Sequence, residues 1–152
     1  MLGKLIEQKM SYSTACEYHK HRSLFYIILS CAVLFIADLI IGDGALSEQM
    51  GLIPVEFINA GNALLAQDFG MQNIKEMFTL IGTLFMHGDV QHLIYNMAFL
   101  WMFGYLMVEI CGQGTFVFIF LFTGVMGAIA HAVLNQGSMM PLIGASGSIA
   151  GL

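Results

Sequence analysis

The chain has 152 residues, of which 58% are hydrophobic and only 10% are charged. Soluble domains average about 45–50% apolar and about 25% charged residues, so this composition excludes an ordinary water-soluble globule. The five Lys and Arg residues and the formal net charge of −5 exclude a nucleic-acid-binding surface. A membrane-spanning helix takes about 20 apolar residues, and we therefore expect an all-α protein, a polytopic transmembrane helical bundle with four spans.

Residues 1–23 form a polar segment that is too charged for a signal peptide, and we assign this segment to the cytoplasm. The first predicted span follows at residues 24–41. Short basic flanks tend to remain in the cytoplasm, and four of the five basic residues precede this span: Lys4, Lys9, Lys20 and Arg22. We therefore expect a multi-pass membrane protein with a cytoplasmic N-terminus, and a bacterial inner membrane as its location.

The remaining spans are predicted within one membrane domain, residues 24–152. Residues 42–89 are mixed in character, and we expect a long outer loop that lies in the membrane interface. The later spans are predicted at residues 90–109, 116–134 and 145–152, the last of them truncated. A glycine pair in the third span, Gly124 and Gly127, offers a notch for close helix packing. Counted from a cytoplasmic N-terminus, the second and fourth spans both begin in the outer leaflet.

Three polar side chains gather at the start of the second span. His92 and Asn96 are four residues apart, so they lie on one face of a helix, and His87 precedes His92 by five residues. Polar groups are costly in hydrocarbon and usually face the bundle interior or a water-filled cavity. These side chains either hydrogen-bond to a neighbouring helix or line a functional cavity.

The fourth span begins at Gly144-Ala145-Ser146-Gly147, which places one hydroxyl among residues without bulk. Backbone N–H groups at a helix start have no intrahelical partner and can hold an oxyanion. A serine nucleophile needs such donors, open access and a base. The other interpretation is packing, because Gly147 and Gly151 form a GxxxG pattern. Since Ser146 is predicted at the same depth as His92 and Asn96, their imidazole and amide could donate to an oxyanion formed there.

Here the sequence resembles the rhomboid family of intramembrane serine proteases. The resemblance runs from Met77 to Leu152 through three strings: MFTLIGTLFMHGDVQHLIYNMAFLWMFG, VEICGQGTFVFIFL and PLIGASGSIAGL. It implies a Ser and His dyad in a water-filled cavity that opens outward and cleaves transmembrane segments of membrane-protein substrates. No metal or organic cofactor is implied, and the three cysteines, which lack a CxxC spacing, indicate no zinc site.

Carried over by position, the resemblance assigns a role to each motif residue. Ser146 would be the nucleophile, and its own backbone N–H would form the oxyanion site with His92 and Asn96. The supporting residues would be Gly144, which shapes the backbone, and Gly147, with His87 and Glu109 as structural hydrogen-bonding groups. Two features depart from the family pattern: Phe78-Thr79 stands where many members carry Trp-Arg, and one extra residue separates Gly104 from Glu109.

The family's general base is a histidine on a later span, and residues 147–152 contain none. We expect the sequence to be a fragment of a longer protease and to be inactive alone, because a fourth span ending at Leu152 would be far shorter than about 20 residues. His131, near the outer end of the third span, is a possible substitute base, although a polar packing role is favoured.

Two alternatives remain. One is a catalytically inactive rhomboid-like protein that binds transmembrane clients, and the other is a haem-binding bundle with His92 and His131 as axial ligands.

Overall fold

The computed structural model describes the backbone of residues 2–42 and 44–152 and the side chains of residues 19–42 and 44–152. The residues with described backbone form six helices: α1 Leu2–Ile41, α2 Ala45–Met50, α3 Pro54–Leu65, α4 Met71–Gly82, α5 Val90–Leu134 and α6 Ser146–Ala150. Within these residues no β-strand forms, and one isolated antiparallel bridge joins Leu52 to Leu142. The structure thus confirms the predicted all-α class. The side chains of Lys4 and Lys9, used above to predict orientation, lie outside the described residues.

Two stretches of helix among the described residues are long and apolar enough to cross a membrane, His19–Ile41 and Val90–Leu134. Along the first of them, large aliphatic side chains are more than half exposed, for example Leu29, Ile36 and Ile40. A soluble protein rarely exposes so continuous an apolar surface. The surface is instead suited to contact with lipid.

The 45-residue helix α5 reverses direction at Gly112. The φ angle of Gly112 is 82°, a value that glycine adopts without steric cost. A side-chain carbon placed on Gly104 would lie 3.0 Å from the Phe116 ring, whereas residues 12 positions apart on a straight helix are separated by about 18 Å. The first half, residues 90–111, and the second half, residues 113–134, are therefore antiparallel neighbours.

Helix α1 packs against α5 around fully buried side chains that include Leu24, Cys31, Leu100 and Phe120. The polar end of this contact is fixed by Gln113, which accepts from the Ser23 N–H (3.1 Å) and donates to the His19 carbonyl (3.0 Å). These contacts set the register of α1 against the point where α5 reverses.

The segment predicted as a long outer loop contains three helices, α2 to α4, and is tied to the rest of the fold. At the end of α1, the Asp38 carboxylate accepts from the Leu46 N–H (2.8 Å) and the Ser47 hydroxyl (2.6 Å). Leu52 exchanges backbone hydrogen bonds of 3.1 and 2.8 Å with Leu142. The outer segment therefore holds the chain that leads into α6.

Helix α6 packs against the second half of α5 at the two notch glycines. A side-chain carbon on Gly124 would lie 2.1 Å from the Ser148 hydroxyl oxygen, and one on Gly127 would lie 3.7 Å from the Gly147 Cα. The absence of side chains at both positions lets the backbones approach closely. This contact positions the start of α6, which carries Ser146.

Candidate active site

Asp89 caps α5 and thereby orients His92. Its side chain accepts a hydrogen bond of 2.7 Å from the His92 backbone N–H, and aspartate is among the preferred residues at this position. Asn96 lies one turn further along, 6% exposed, and its amide donates to the His92 carbonyl at 2.9 Å. The cap and the helical spacing together fix both side chains at the start of α5.

The backbone before Ser146 adopts a conformation that requires glycine. Gly144 has a φ of 124°, in a region that is essentially restricted to glycine. Its N–H donates to the Thr83 carbonyl at 2.9 Å, and the following residue, Ala145, is fully buried. Ser146 then begins α6 with its side chain exposed.

The structure brings the starts of α5 and α6 together. A side-chain carbon on Gly144 would lie 2.7 Å from both Cε1 and Nε2 of His92, so the imidazole lies directly against the glycine two residues before Ser146. Ser146 and Asn96 also line a common hollow of about 280 Å³. We call it the Asn96 hollow; its other lining residues are Tyr95, Phe99, Ile149 and Ala150.

Ser146 also lines a second hollow of about 190 Å³, on which His131 lies. We call it the His131 hollow; its other lining residues include Thr83, Leu84, Gly124, Gly127, Ala128 and Leu142. The serine thus shares one hollow with an amide and another with an imidazole.

His87 lies behind His92 and is 1% exposed. The two rings meet edge to face, with centroids 5.2 Å apart. Nδ1 of His87 lies 3.2 Å from the Phe85 carbonyl, while Nε2 has no hydrogen-bond partner among the described residues. Burial, assisted by the nearby His92, lowers the pKa of His87 to about 4. A neutral imidazole therefore supports the His92 ring near pH 7.

Of the two predicted supporting residues Glu109 and Gly147, only Gly147 lies beside Ser146. Glu109 accepts from Lys20 and lies 2.8 Å from Nε2 of His21. It is 13 residues beyond Asn96 on one helix, or about 20 Å along the axis. Glu109 therefore joins α1 to α5 at the end remote from Ser146. Gly147 follows the serine and lines the His131 hollow.

Thr83 was not singled out from the sequence, yet it fixes the approach to Ser146. It is 1% exposed, its hydroxyl donates to the Leu142 carbonyl, and its own carbonyl accepts from Gly144. The only sequence signal is a hydroxyl within the apolar string LIGTLF, and that pattern does not identify its partners.

A family model described as the Rhomboid domain matches residues 75–152, about half of the chain. The Rhomboid protease GluP of Bacillus subtilis (strain 168) is 30% identical over 148 residues, which are 97% of this chain and 27% of that protein. The chain thus spans about a quarter of the length of this relative. This similarity, together with the two helices that are long and apolar enough to cross a membrane, indicates an integral membrane protein. The chain belongs to the rhomboid family.

Proposed function

We propose that the full-length gene product is an intramembrane serine endopeptidase that cleaves transmembrane segments of membrane proteins. The observation that carries this proposal is the meeting of Ser146 with Asn96 in one hollow, with the His92 ring against Gly144. Family membership supports the same reaction class. A packing role alone would not require an exposed hydroxyl at this junction.

In this proposal the Ser146 oxygen attacks the carbonyl carbon of the scissile peptide bond, and negative charge develops on the carbonyl oxygen. Donors aimed at that oxygen lower the barrier. The Ser146 N–H, the His92 imidazole N–H and the Asn96 amide would supply them. Asn96 can do so because its amide carries two N–H groups and only one is used by the His92 carbonyl.

The Ser146 hydroxyl must lose its proton as the bond forms, and the leaving amine must gain one. We propose that a histidine from a later span of the full-length protein carries this proton, as the family resemblance implies. Water then attacks the acyl-serine, and the same base returns the proton to Ser146 as the peptide acid leaves. Within this chain, His131 is the alternative carrier because it lines a hollow with Ser146.

The charge distribution supports an orientation for this activity. Four of the five basic residues precede the first span, so we propose a cytoplasmic N-terminus and a cavity that opens to the outer side of a bacterial inner membrane. Substrates would then be cut near the outer ends of their transmembrane segments.

Cleavage of a membrane-anchored substrate by the full-length gene product tests the proposal. We expect Ser146→Ala to lower the rate by about 10⁴-fold or more, whereas Ser148→Ala should leave it within a few-fold because Ser148 is fully buried. His131→Ala separates the two bases: a small effect favours a later histidine, and a loss comparable to Ser146→Ala favours His131. Undiminished cleavage by Ser146→Ala would contradict the proposal.

The alternative is an inactive protein that binds transmembrane clients, and a full-length product whose later spans contain no histidine would favour it. It predicts that the full-length product binds a transmembrane segment without cleaving it. Substitution of Ser146 would then leave client binding unchanged.

A further inference from the structure

A groove between α2 and α4 lies apart from the candidate active site. It has a volume of about 400 Å³, within the range of ligand sites, about 300–1,000 Å³. Its walls are largely apolar and include Met50, Phe78, Ile81 and Phe85, with Lys75 at one end. The groove therefore combines a hydrocarbon surface with the cation of Lys75.

Helical spacing produces this arrangement. Lys75, Phe78 and Gly82 follow the i, i+3, i+7 spacing, so they share one face of α4. A side-chain carbon on Gly82 would lie 2.6 Å from the Met50 carbonyl oxygen, which shows that α2 and α4 meet closely there. The charged end and the apolar length of the groove are thus built by one helix face and its neighbour.

Lys75 is the one basic residue in an acidic part of the sequence. Lys75 is the only Lys or Arg after Arg22, and six acidic residues share residues 42–89 with it: Asp43, Glu48, Glu56, Asp68, Glu76 and Asp89. A ligand with several negative charges would be repelled by this segment. One phosphodiester charge next to Lys75, followed by a hydrocarbon chain, matches the groove.

We infer that the groove binds a membrane phospholipid, with its phosphate at Lys75 and one acyl chain along Phe78, Ile81 and Phe85. Lysine at an interface extends its ammonium group to the headgroup level and keeps its stem on apolar surface. This contact would anchor the outer segment at the membrane interface. The inference does not depend on proteolysis.

The molecule offers an internal comparison. A second apolar groove, of about 450 Å³, lies between α3 and α4, and none of the described residues that line it is charged. These residues are Phe57, Ile58, Gly61, Asn62, Leu64, Leu65 and Met77. The two grooves are similar in volume. If an acyl chain alone determined binding, both would be occupied equally.

The test uses the full-length protein in vesicles of phosphatidylethanolamine and phosphatidylglycerol, doped with phosphatidylethanolamine that carries a diazirine in one acyl chain. After irradiation, labelled residues are mapped by peptide mass spectrometry. We expect labelling of Phe78, Ile81 and Phe85 to exceed that of the α3 groove. Lys75→Gln should reduce it about fivefold, and Lys75→Arg should retain it.

Lys75 is exposed, so neither variant should change the unfolding temperature, and labelling of the α3 groove serves as the control. Equal labelling of the two grooves would overturn the inference, as would unchanged labelling of Lys75→Gln. Displacement of the label by a transmembrane peptide, together with indifference to Lys75→Gln, would assign the groove to a protein segment instead.

Discussion

Gly144 couples backbone conformation to the position of His92. Any other residue there would face both a φ of 124° and contacts of 2.7 Å with the imidazole. We expect Gly144→Ala to lower the free energy of unfolding by about 2 kcal/mol or more and to displace the His92 ring. The measurement is denaturant unfolding in detergent, with cleavage of a membrane-anchored substrate as the second readout.

Gly137→Ala is the matched control, because Gly137 lies on the same connection and an added side-chain carbon there meets no atom of the described residues within 4 Å. Its unfolding free energy should stay within about 0.5 kcal/mol of the parent. Equal effects of the two substitutions would show that the φ angle and the imidazole contact are unimportant.

His87 makes stability depend on pH. Its pKa falls from 6.5 to about 4 on burial, so between these values the unfolded chain binds a proton that the folded protein does not. Acidification from pH 6.5 to 4 should therefore lower the free energy of unfolding, by about 3 kcal/mol from this residue at the limit.

His87→Asn removes the titrating group and keeps an N–H donor for the Phe85 carbonyl. We expect a shallower fall in unfolding temperature between pH 7 and 4.5 than in the parent protein. Parallel curves for the two proteins would exclude His87 as the source of the pH dependence.

At this scale, sequence reasoning was sufficient for pairs that share a helix. The four-residue spacing of His92 and Asn96 predicts a common face, and the structure has both near the capped start of α5. The partners of Thr83 could not be predicted, because they come from a segment about 60 residues away and depend on tertiary packing.

At the scale of elements, the contact of α6 with α5 depends on small residues. Gly124→Ala would bring a carbon within 2.1 Å of the Ser148 hydroxyl and 2.7 Å of Leu84. Overpacking of this kind costs about 1–3 kcal/mol, and we expect both thermal stability and activity of the full-length protein to fall.

In Gly114→Ala, on the same helix, no atom of the described residues lies within 4 Å of the added carbon. This change should be neutral or stabilising by up to about 1 kcal/mol, since alanine favours helix. Thermal unfolding of the two variants checks the prediction. A stable Gly124→Ala variant would contradict the close packing described for α6.

Glu109 holds the opposite end of the bundle together through a buried imidazole. His21 is 1% exposed, stacks on Tyr105 with ring centroids 4.1 Å apart, and uses Nε2 for Glu109. Glu109→Ala leaves that nitrogen without its partner, so we expect a lower unfolding temperature. The unfolding temperature of Glu109→Gln, which keeps a hydrogen-bonding oxygen, should lie between those of Glu109→Ala and the parent protein.

Lys20→Ala removes the ion pair with Glu109 and leaves the contact between Glu109 and His21 in place. Because the Lys20 side chain is half exposed, its pair with Glu109 should contribute little. A loss from Lys20→Ala as large as that from Glu109→Ala would indicate that the ion pair, and not the His21 contact, stabilises the junction.

Long apolar elements could be predicted, and short ones could not. A straight helix of 45 residues would be about twice as long as the membrane is thick. A reversal within α5 is therefore expected, and Gly112 and Gly114 mark its position in the sequence. Helices α2 to α4 have 6 to 12 residues, and helices this short depend on tertiary contacts more than on local sequence.

Over the whole molecule, the polar and ionisable side chains discussed above cluster at two opposite ends of the helical bundle. Lys20, His21, Glu109 and Gln113 meet where α5 reverses, whereas Ser146, His92, Asn96 and His131 gather where α5 begins and ends. This separation follows from the hairpin of α5, which returns residue 134 to the end at which residue 90 starts. Span counting predicts that the starts of the second and fourth spans share one end of the bundle, but the two hollows around Ser146 could be described only from the tertiary structure.

The most direct measurement is covalent labelling of the full-length protein in membranes with a fluorophosphonate, followed by mass spectrometric identification of the modified residue. We predict an adduct on the Ser146 oxygen, with labelling strongly slowed in His92→Ala and Asn96→Ala and unchanged in Ser148→Ala. Absence of an adduct on Ser146 in a correctly folded protein, or labelling indifferent to both His92 and Asn96, would contradict a nucleophilic serine in this cavity.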